Sequence, residues 1–206
     1  MSFWSALTYD CALCCSEHYC LANWRAELLS SLAGDVLELG AGTGVNLKHY
    51  PTCVRSLTLV EPDSFMRQKL NRKLAKRSIS FRTEVLGTSA ETIELSDASI
   101  DAVVGTLVLC SVSDVSQVLR ESRRVLRPGG SLSLIEHVAA PVGTMRRRWQ
   151  SWLEPTWAVV AGGCHLLRDP RLDIETAGFK PSFVTERELS GVPGFIKSAI
   201  IGTWTV

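Results

Sequence analysis

No stretch of this chain approaches the roughly 20 consecutive apolar residues that a membrane-spanning helix requires. Nor is there a surplus of either charge: Lys plus Arg is 22, Asp plus Glu is 21, and the formal net charge is +1. A nucleic-acid partner normally leaves a basic excess, so none is expected. The opening residues, MSFWSALTYDCALCCSEHYC, lack the basic n-region, apolar h-region and small-residue cleavage site of a secretory leader. A cytoplasmic protein with reduced thiols is the expectation. Internal repeats and low-complexity linkers are also missing. With 206 residues, 46% hydrophobic and 21% charged, the composition suits a folded protein, read here as a single domain over residues 1–206.

Cysteine is plentiful, yet the paired C-x₂-C spacing of zinc modules is missing. The seven are Cys11, Cys14, Cys15, Cys20, Cys53, Cys110 and Cys164. Cys11, Cys14, Cys15 and His18 fall at i, i+3, i+4 and i+7, one face of a helix. That face reads as small apolar side chains packing a helix on the domain, and no metal site is expected.

From residue 35 onward, strand-like runs alternate with helical ones, which argues for a parallel sheet covered by helices on both faces. The strands are expected at 35–40, 56–62, 78–87, 100–109 and 131–138, the last entered through the turn RPGG at 127–130. Helices are expected at 45–50, 63–77 and 114–126, the last two with Asp63 and Asp114 as N-caps. The runs KPSFVTERELSG and SAIIGTWTV are joined by the short VPGFIK. So short a link suits an antiparallel pair. The expected fold class is therefore α/β: a Rossmann-like, seven-stranded, mostly parallel sheet with an antiparallel C-terminal end. Two segments fall outside the alternation: residues 1–34, read as an N-terminal helical cap, and residues 139–178, read as a substrate lid. Ligands of open α/β sheets lie beyond the carboxyl ends of the strands, and the second segment leaves from that edge.

The run VLELGAGTGVNL, residues 36–47, opens the unit as a nucleotide site does: strand, glycine turn, helix. The dinucleotide fingerprint G-x-G-x-x-G would put its third glycine at Val45, so Gly40, Gly42 and Gly44 do not complete it. Glu38 stands just before them. A carboxylate aimed at that loop would repel a pyrophosphate and suits a ligand with positive charge there.

Four motifs together make the chain resemble the class I S-adenosylmethionine-dependent methyltransferases. They are VLELGAGTG, VEPD at 60–63, GTSAETIELSDASIDAVVGTLVLCSV at 87–112 and RVLRPGGSLSLIEHV at 124–138. The resemblance implies S-adenosyl-L-methionine as cofactor and S-adenosyl-L-homocysteine as product. It implies that Glu38 and the loop Gly40, Ala41, Gly42 and Gly44 hold the methionyl end. Glu61, seventeen residues after Gly44 and followed by Pro62, would accept the ribose hydroxyls. Ser89 and Ala90 would meet the adenine, and Thr106 and Leu107 would lie under the methionyl chain. Tyr9 would close over the cofactor or pack in the N-terminal helix.

A narrower resemblance rests on EHVAA at 136–140, TLVLCSV at 106–112 and TMRRRWQSWLEPTWAVVAGGCHLLRD at 144–169. Glu136, His137, Trp149, Gln150, Leu153, Pro155, Trp157, Gly163, Cys164 and Arg168 make this chain similar to the methyltransferase-like branch that includes alkyl-thiol S-methyltransferases. Members of that branch carry an N-terminal hydrophobic anchor, which this sequence is read as lacking. A small-molecule acceptor, first of all a thiol, is implied. O- or N-methylation of a lipid, quinone or natural-product scaffold stays open beside it, as does a non-catalytic scaffold that only binds the cofactor. A thiol with an ordinary pKa of about 8.5 asks for little base assistance. His137, His165 and Arg168 are the candidate catalytic residues: either histidine to take a proton, the arginine to steady an anion, and each alternatively a structural hydrogen-bonding group. Cys110 and Cys164 read as pocket lining. The run RRRW at 146–149 reads as a solvated helix face, a membrane-surface patch or an acidic-substrate clamp, and the neighbouring tryptophans as a pocket wall or a docking face.

Overall fold

The computed structural model describes residues 14–77 and 79–206. Tyr9, with the Cys11 end of the cysteine face, lies outside the described residues. Seven strands form one sheet in the order β3-β2-β1-β4-β5-β7-β6. They are β1 (Gly34–Leu39), β2 (Val54–Val60), β3 (Arg82–Leu86), β4 (Ile100–Thr106), β5 (Leu126–His137), β6 (Lys180–Glu188) and β7 (Ser198–Thr205). The first five run parallel, and β7 lies antiparallel between β5 and β6. The expected mostly parallel sheet with an antiparallel end is the one observed.

Alternation along the strands feeds both faces of this sheet. Leu37, Leu39 and Val103 point into one apolar cluster, while Val36, Ala102 and Val104 point into another. Three α-helices, α1 (Ala22–Leu29), α2 (Ser64–Ala75) and α3 (Val115–Val125), cover these faces, while α4 (Met145–Val160), from the long segment, buries only Gln150 and packs on the turn Gly194–Ile196. A short α5 (Arg171–Thr176) precedes β6. Leu70 of α2 joins the second cluster, and Val118, Leu119 and Val125 of α3 join the first. A π-helical turn (Glu17–Leu21) runs into α1, and Cys20, Leu21, Trp24 and Leu28 pack on Ile135, Ala199 and Ile201 of β5 and β7.

The two N-cap assignments stand. The Asp63 carboxylate accepts from the amides of Phe65 and Met66, and the Asp114 carboxylate from that of Gln117. Other boundaries moved. The helix expected at 45–50 is a single 3-10 turn, Asn46–Lys48, with Pro51 close behind it. β4 stops at Thr106, three residues early, because Leu107 turns to φ +59°. β5 is counted from Leu126, which pairs with Ile100, but the next pair is Ala102 with Ser131, so the RPGG residues 127–130 loop out of register with Gly129 at φ +78° and the strand is entered through them as expected. The cysteine face was misread. Cys14 and Cys15 are exposed, and Cys20, buried beside Leu21 and Trp24, does the packing.

No helix among the described residues is long and apolar enough to cross a membrane. Between β1 and β4 the strand order reverses, β2 and β3 lying on one side and β4 and β5 on the other. A crevice opens beyond the carboxyl ends of the strands at such a reversal.

Candidate active site

That crevice is a cavity of about 810 Å³, within the ordinary range for a cofactor-sized site. Its walls come from the loop after β1 (Gly40, Gly42), the tip of β2 (Glu61, Pro62) and the loop after β3 (Ser89, Ala90). The loop after β4 adds Leu107, Val108 and Cys110, and β5 adds His137. The long segment contributes Trp157, Val160 and Cys164, and Leu21 and Ser16 close the N-terminal side. Of the residues singled out from the sequence, Gly40, Gly42, Glu61, Pro62, Ser89, Ala90, Leu107 and His137 therefore meet here.

Three buried carboxylates, Glu61, Glu136 and Glu38, hold the loops around the cavity. Glu61 accepts from the amides of Gly42 (2.8 Å) and Asp63 (2.9 Å), which ties the glycine turn to the tip of β2. Burial raises its pKa. Glu136, fully buried, accepts from the amides of Val108 and Leu109 at 2.9 Å and of Cys110 at 3.3 Å. Those three bonds gather the loop after β4 under β5. Burial outweighs them and pushes the Glu136 pKa up to about 7.

Glu38 is the third of them, and its assignment is corrected. It is not on the cavity wall: Asn46 Nδ2 donates to it at 2.8 Å and the Tyr50 hydroxyl at 2.7 Å. Burial raises its pKa to about 7 against those bonds. Arg25, also buried, donates to Asn46 Oδ1 (2.8 Å), to Thr106 Oγ1 (2.6 Å) and to Glu17. Glu38 and Thr106 thus support the loop from behind, through Arg25, Asn46 and Tyr50, none of which was singled out from the sequence. The available signal was Arg25 itself, a charge among the apolar residues of LANWRAELL.

Gly44 and Ala41 are likewise behind the wall. A Cβ on Gly44 would meet Leu70 and Leu47 at 2.7 and 2.8 Å, and Ala41 sits in the core with Leu47 and Leu59. A Cβ on Gly42 would find nothing nearer than 3.9 Å and would project into open space beside the lining. The glycine turn therefore offers bare backbone to a ligand in the cavity. Both oxygens of Glu61 keep a second lone pair with which to accept from such a ligand.

His165 and Arg168 do not line the cavity. His165 Nδ1 pairs with Glu154 at 2.8 Å, and Arg168 donates to the carbonyls of Leu109 (2.8 Å) and Val112 (2.7 Å). Both fasten the long segment, so the catalytic reading of each is withdrawn. His137 differs. It is 4% exposed, and neither ring nitrogen has a hydrogen-bond partner among the described residues. The Trp157 indole N–H is also without one. Beside these two lies Cys164, whose thiol is drawn below its ordinary pKa by Cys110 first, and then by His137 and Trp157. Trp149 and Trp152, on the same helix, face outward at 52% and 72% exposure. Of RRRW, Arg146 pairs with Glu188.

Residues 37–134 match the family model described as a methyltransferase domain. Human thiol S-methyltransferase TMT1B is 42% identical over 75% of this chain and 67% of its own, and human TMT1A 39% over 77% and 68%. The chain belongs to the S-adenosylmethionine-dependent methyltransferases. Its match to rat TMT1B, also 42% identical, takes in 59% of that protein's length. Among solved structures, this methyltransferase superposes on a possible histamine N-methyltransferase from Thermotoga maritima with a TM-score of 0.69. The two are 20% identical, with 99% of each chain covered. Geranyl diphosphate C-methyltransferase from Streptomyces coelicolor, solved with S-adenosyl-L-homocysteine, gives 0.68 at 15% identity, covering 90% of this chain and 79% of that one. At such identities the likeness is one of fold.

Proposed function

We propose that this methyltransferase methylates a small apolar thiol held in the cavity against His137. One observation carries the reading. His137 is the only one of the three candidate catalytic residues on the cavity wall, and the group beside its buried imidazole there is the Cys164 thiol. The thiol S-methyltransferase relatives support the acceptor class.

S-adenosylmethionine supplies a methyl already activated by its sulfonium, so the protein's work is to bind, orient and exclude water. In this reading Gly40, Gly42 and Glu61 hold the cofactor, with Ser89 and Ala90 at the adenine end and Leu107 under the methionyl chain. His137 accepts the proton of the acceptor thiol as its sulfur bonds to the methyl carbon. Leu107, Val112 and Trp157 give the acceptor an apolar bed. Residues 139–178 serve as its lid: α4 is anchored by Gln150, which accepts from the Ala140 amide and donates to the Phe195 carbonyl. Cytoplasmic location belongs to the same reading.

The test is methyl transfer from labelled S-adenosylmethionine to a thiol, a phenol and an amine built on one small apolar scaffold. Labelled thioether is the expected product. Label on the phenol or the amine, with none on the thiol, overturns the acceptor assignment.

A further inference from the structure

Methyl transfer needs no nucleophile from the protein, yet two cysteines, Cys110 and Cys164, line the cavity in which the acceptor is proposed to bind. They come from different parts of the chain, and their neighbours are fastened together: the His165 amide donates to the Cys110 carbonyl at 2.8 Å. Gly163, at φ +92°, runs so close to Ser111 that a Cβ there would meet the Ser111 carbonyl at 3.1 Å. Glu154 grips the far side of the same turn through the Leu166 amide at 2.6 Å and His165.

The pair is asymmetric. Each sulfur is the strongest influence on the other's proton: the Cys164 thiol is drawn down and the Cys110 thiol pushed up. Cys110 is 3% exposed and close to the Glu136 carboxylate, whereas Cys164 faces the His137 ring and the Trp157 indole N–H. A thiol that readily yields a thiolate, beside a buried one that keeps its proton, is the arrangement of an attacking and a resolving cysteine.

We propose that Cys110 and Cys164 form a thiol–disulfide exchange site for small apolar disulfides in the acceptor cavity. The Cys164 thiolate attacks one sulfur of R–S–S–R, forming a Cys164–S–S–R bond and expelling one thiolate, which takes a proton from solvent. The Cys110 sulfur then attacks Cys164, forming the Cys110–Cys164 disulfide and expelling the second thiol. The bound disulfide is reduced by two electrons and the cysteine pair oxidised by two, with R–S–S–R as oxidant. Two molecules of R–SH, the acceptor class proposed above, are released where methyl acceptors bind. A cellular dithiol or glutathione resets the pair.

The experiment uses the full chain, freed of reductant, without S-adenosylmethionine, so its outcome is independent of the acceptor assignment. Diethyl disulfide is added, ethanethiol release is followed, and digested protein is mapped by mass spectrometry. Folding of each variant is checked by thermal shift with S-adenosylhomocysteine. The wild type is expected to give a linked Cys110–Cys164 peptide and two ethanethiols per linked pair. C110S is expected to stop at the ethylthio adduct on Cys164, formed at least about tenfold faster than adducts on exposed Cys14 and Cys15 of the same molecule. C164S is expected to give neither the linked peptide nor an adduct on Cys110. Failure of the linked peptide to form in the wild type overturns the proposal. So does a Cys164 in C110S that reacts no faster than Cys14 and Cys15.

Discussion

Three buried glutamates, Glu38, Glu61 and Glu136, and one histidine, His137, organise the site residue by residue, and they differ in what their removal does. Glu61→Ala takes away the acceptor for Gly42 and Asp63 and the proposed ribose contact. Equilibrium dialysis is expected to show S-adenosylhomocysteine affinity falling at least tenfold, about 1.4 kcal/mol. His137→Ala is expected to leave that affinity unchanged and to lower kcat at neutral pH by only about tenfold, because a thiol acceptor already supplies a few per cent of thiolate unaided. Glu136 acts through pH. Its carboxyl and that of Glu38 titrate at about 7 in the folded chain against 4.5 ordinarily. Between those values the native state binds more protons than the unfolded one. The stability these groups contribute is therefore present below the lower value and is lost as pH rises through the upper one. Each group has a limiting slope of about 1.4 kcal/mol per pH unit. Glu136→Gln, isosteric with the protonated acid, is expected to flatten that slope when urea midpoints are compared at about pH 5 and about pH 7.5.

Among the elements, the glycine turn separates two jobs that look alike in sequence. Gly44→Ala drives a Cβ into Leu47 and Leu70 at a φ of +76°, and overpacking of this kind costs about 1–3 kcal/mol. Its expected signature is a lower urea midpoint. Gly42→Ala meets no such clash, so its expected signature is weaker cofactor binding with a smaller loss of stability. Equal losses of stability in the two variants would show that the turn is not divided in this way. Asp63 and Asp114 could be recognised as caps because capping depends on three or four neighbouring residues. The helix expected at 45–50 shrank to one turn because Asn46, pointing inward, is held by Glu38, Arg25 and Thr106, a partnership spanning 81 residues of sequence. His165 and Arg168 look like chemistry in the sequence for a related reason. What occupies them is Glu154 and two carbonyls of the loop after β4, brought close only by folding.

At the scale of the molecule, the two ends of the sheet have separate duties. Opposite the cavity, Asp35 and Asp101 are clasped by Arg55 and Arg127 at the amino ends of β1 and β4. The Arg55 guanidinium, with Ser56 and Arg127, holds the Asp35 carboxyl far below its ordinary value. A depressed carboxyl contributes stability above its unfolded pKa, and that contribution is lost as pH falls below it. Asp35→Asn is expected to cost about 1 kcal/mol at neutral pH, the scale of a largely solvated ion-pair network, with the gap to wild type closing in acid. Methyl transfer should be unaffected. At the other end, S-adenosylhomocysteine at a hundred times its Kd is expected to add about 2.7 kcal/mol of stability, read as a rise in Tm. A ligand that binds elsewhere would give the same rise in Glu61→Ala as in wild type.

The sequence by itself determined the alternation of strands and helices, the mostly parallel sheet, the antiparallel end and the glycine turn after the first strand. Each of these is written in local periodicity, caps and glycine spacing, which act over a few residues. Only the tertiary structure decided which polar groups face the cavity and which stand behind it. Glu38 and Glu61 each sit near the carboxyl end of a strand, yet one is enclosed by Asn46 and Tyr50 while the other opens onto the cavity. His137 and His165 are both histidines beside the long segment, yet His137 lines the cavity while His165 is held by Glu154. Nor could the meeting of Cys110 with Cys164 be read from a separation of 54 residues. The direction of a side chain depends on what packs around it, and that is settled by contacts between distant parts of the chain.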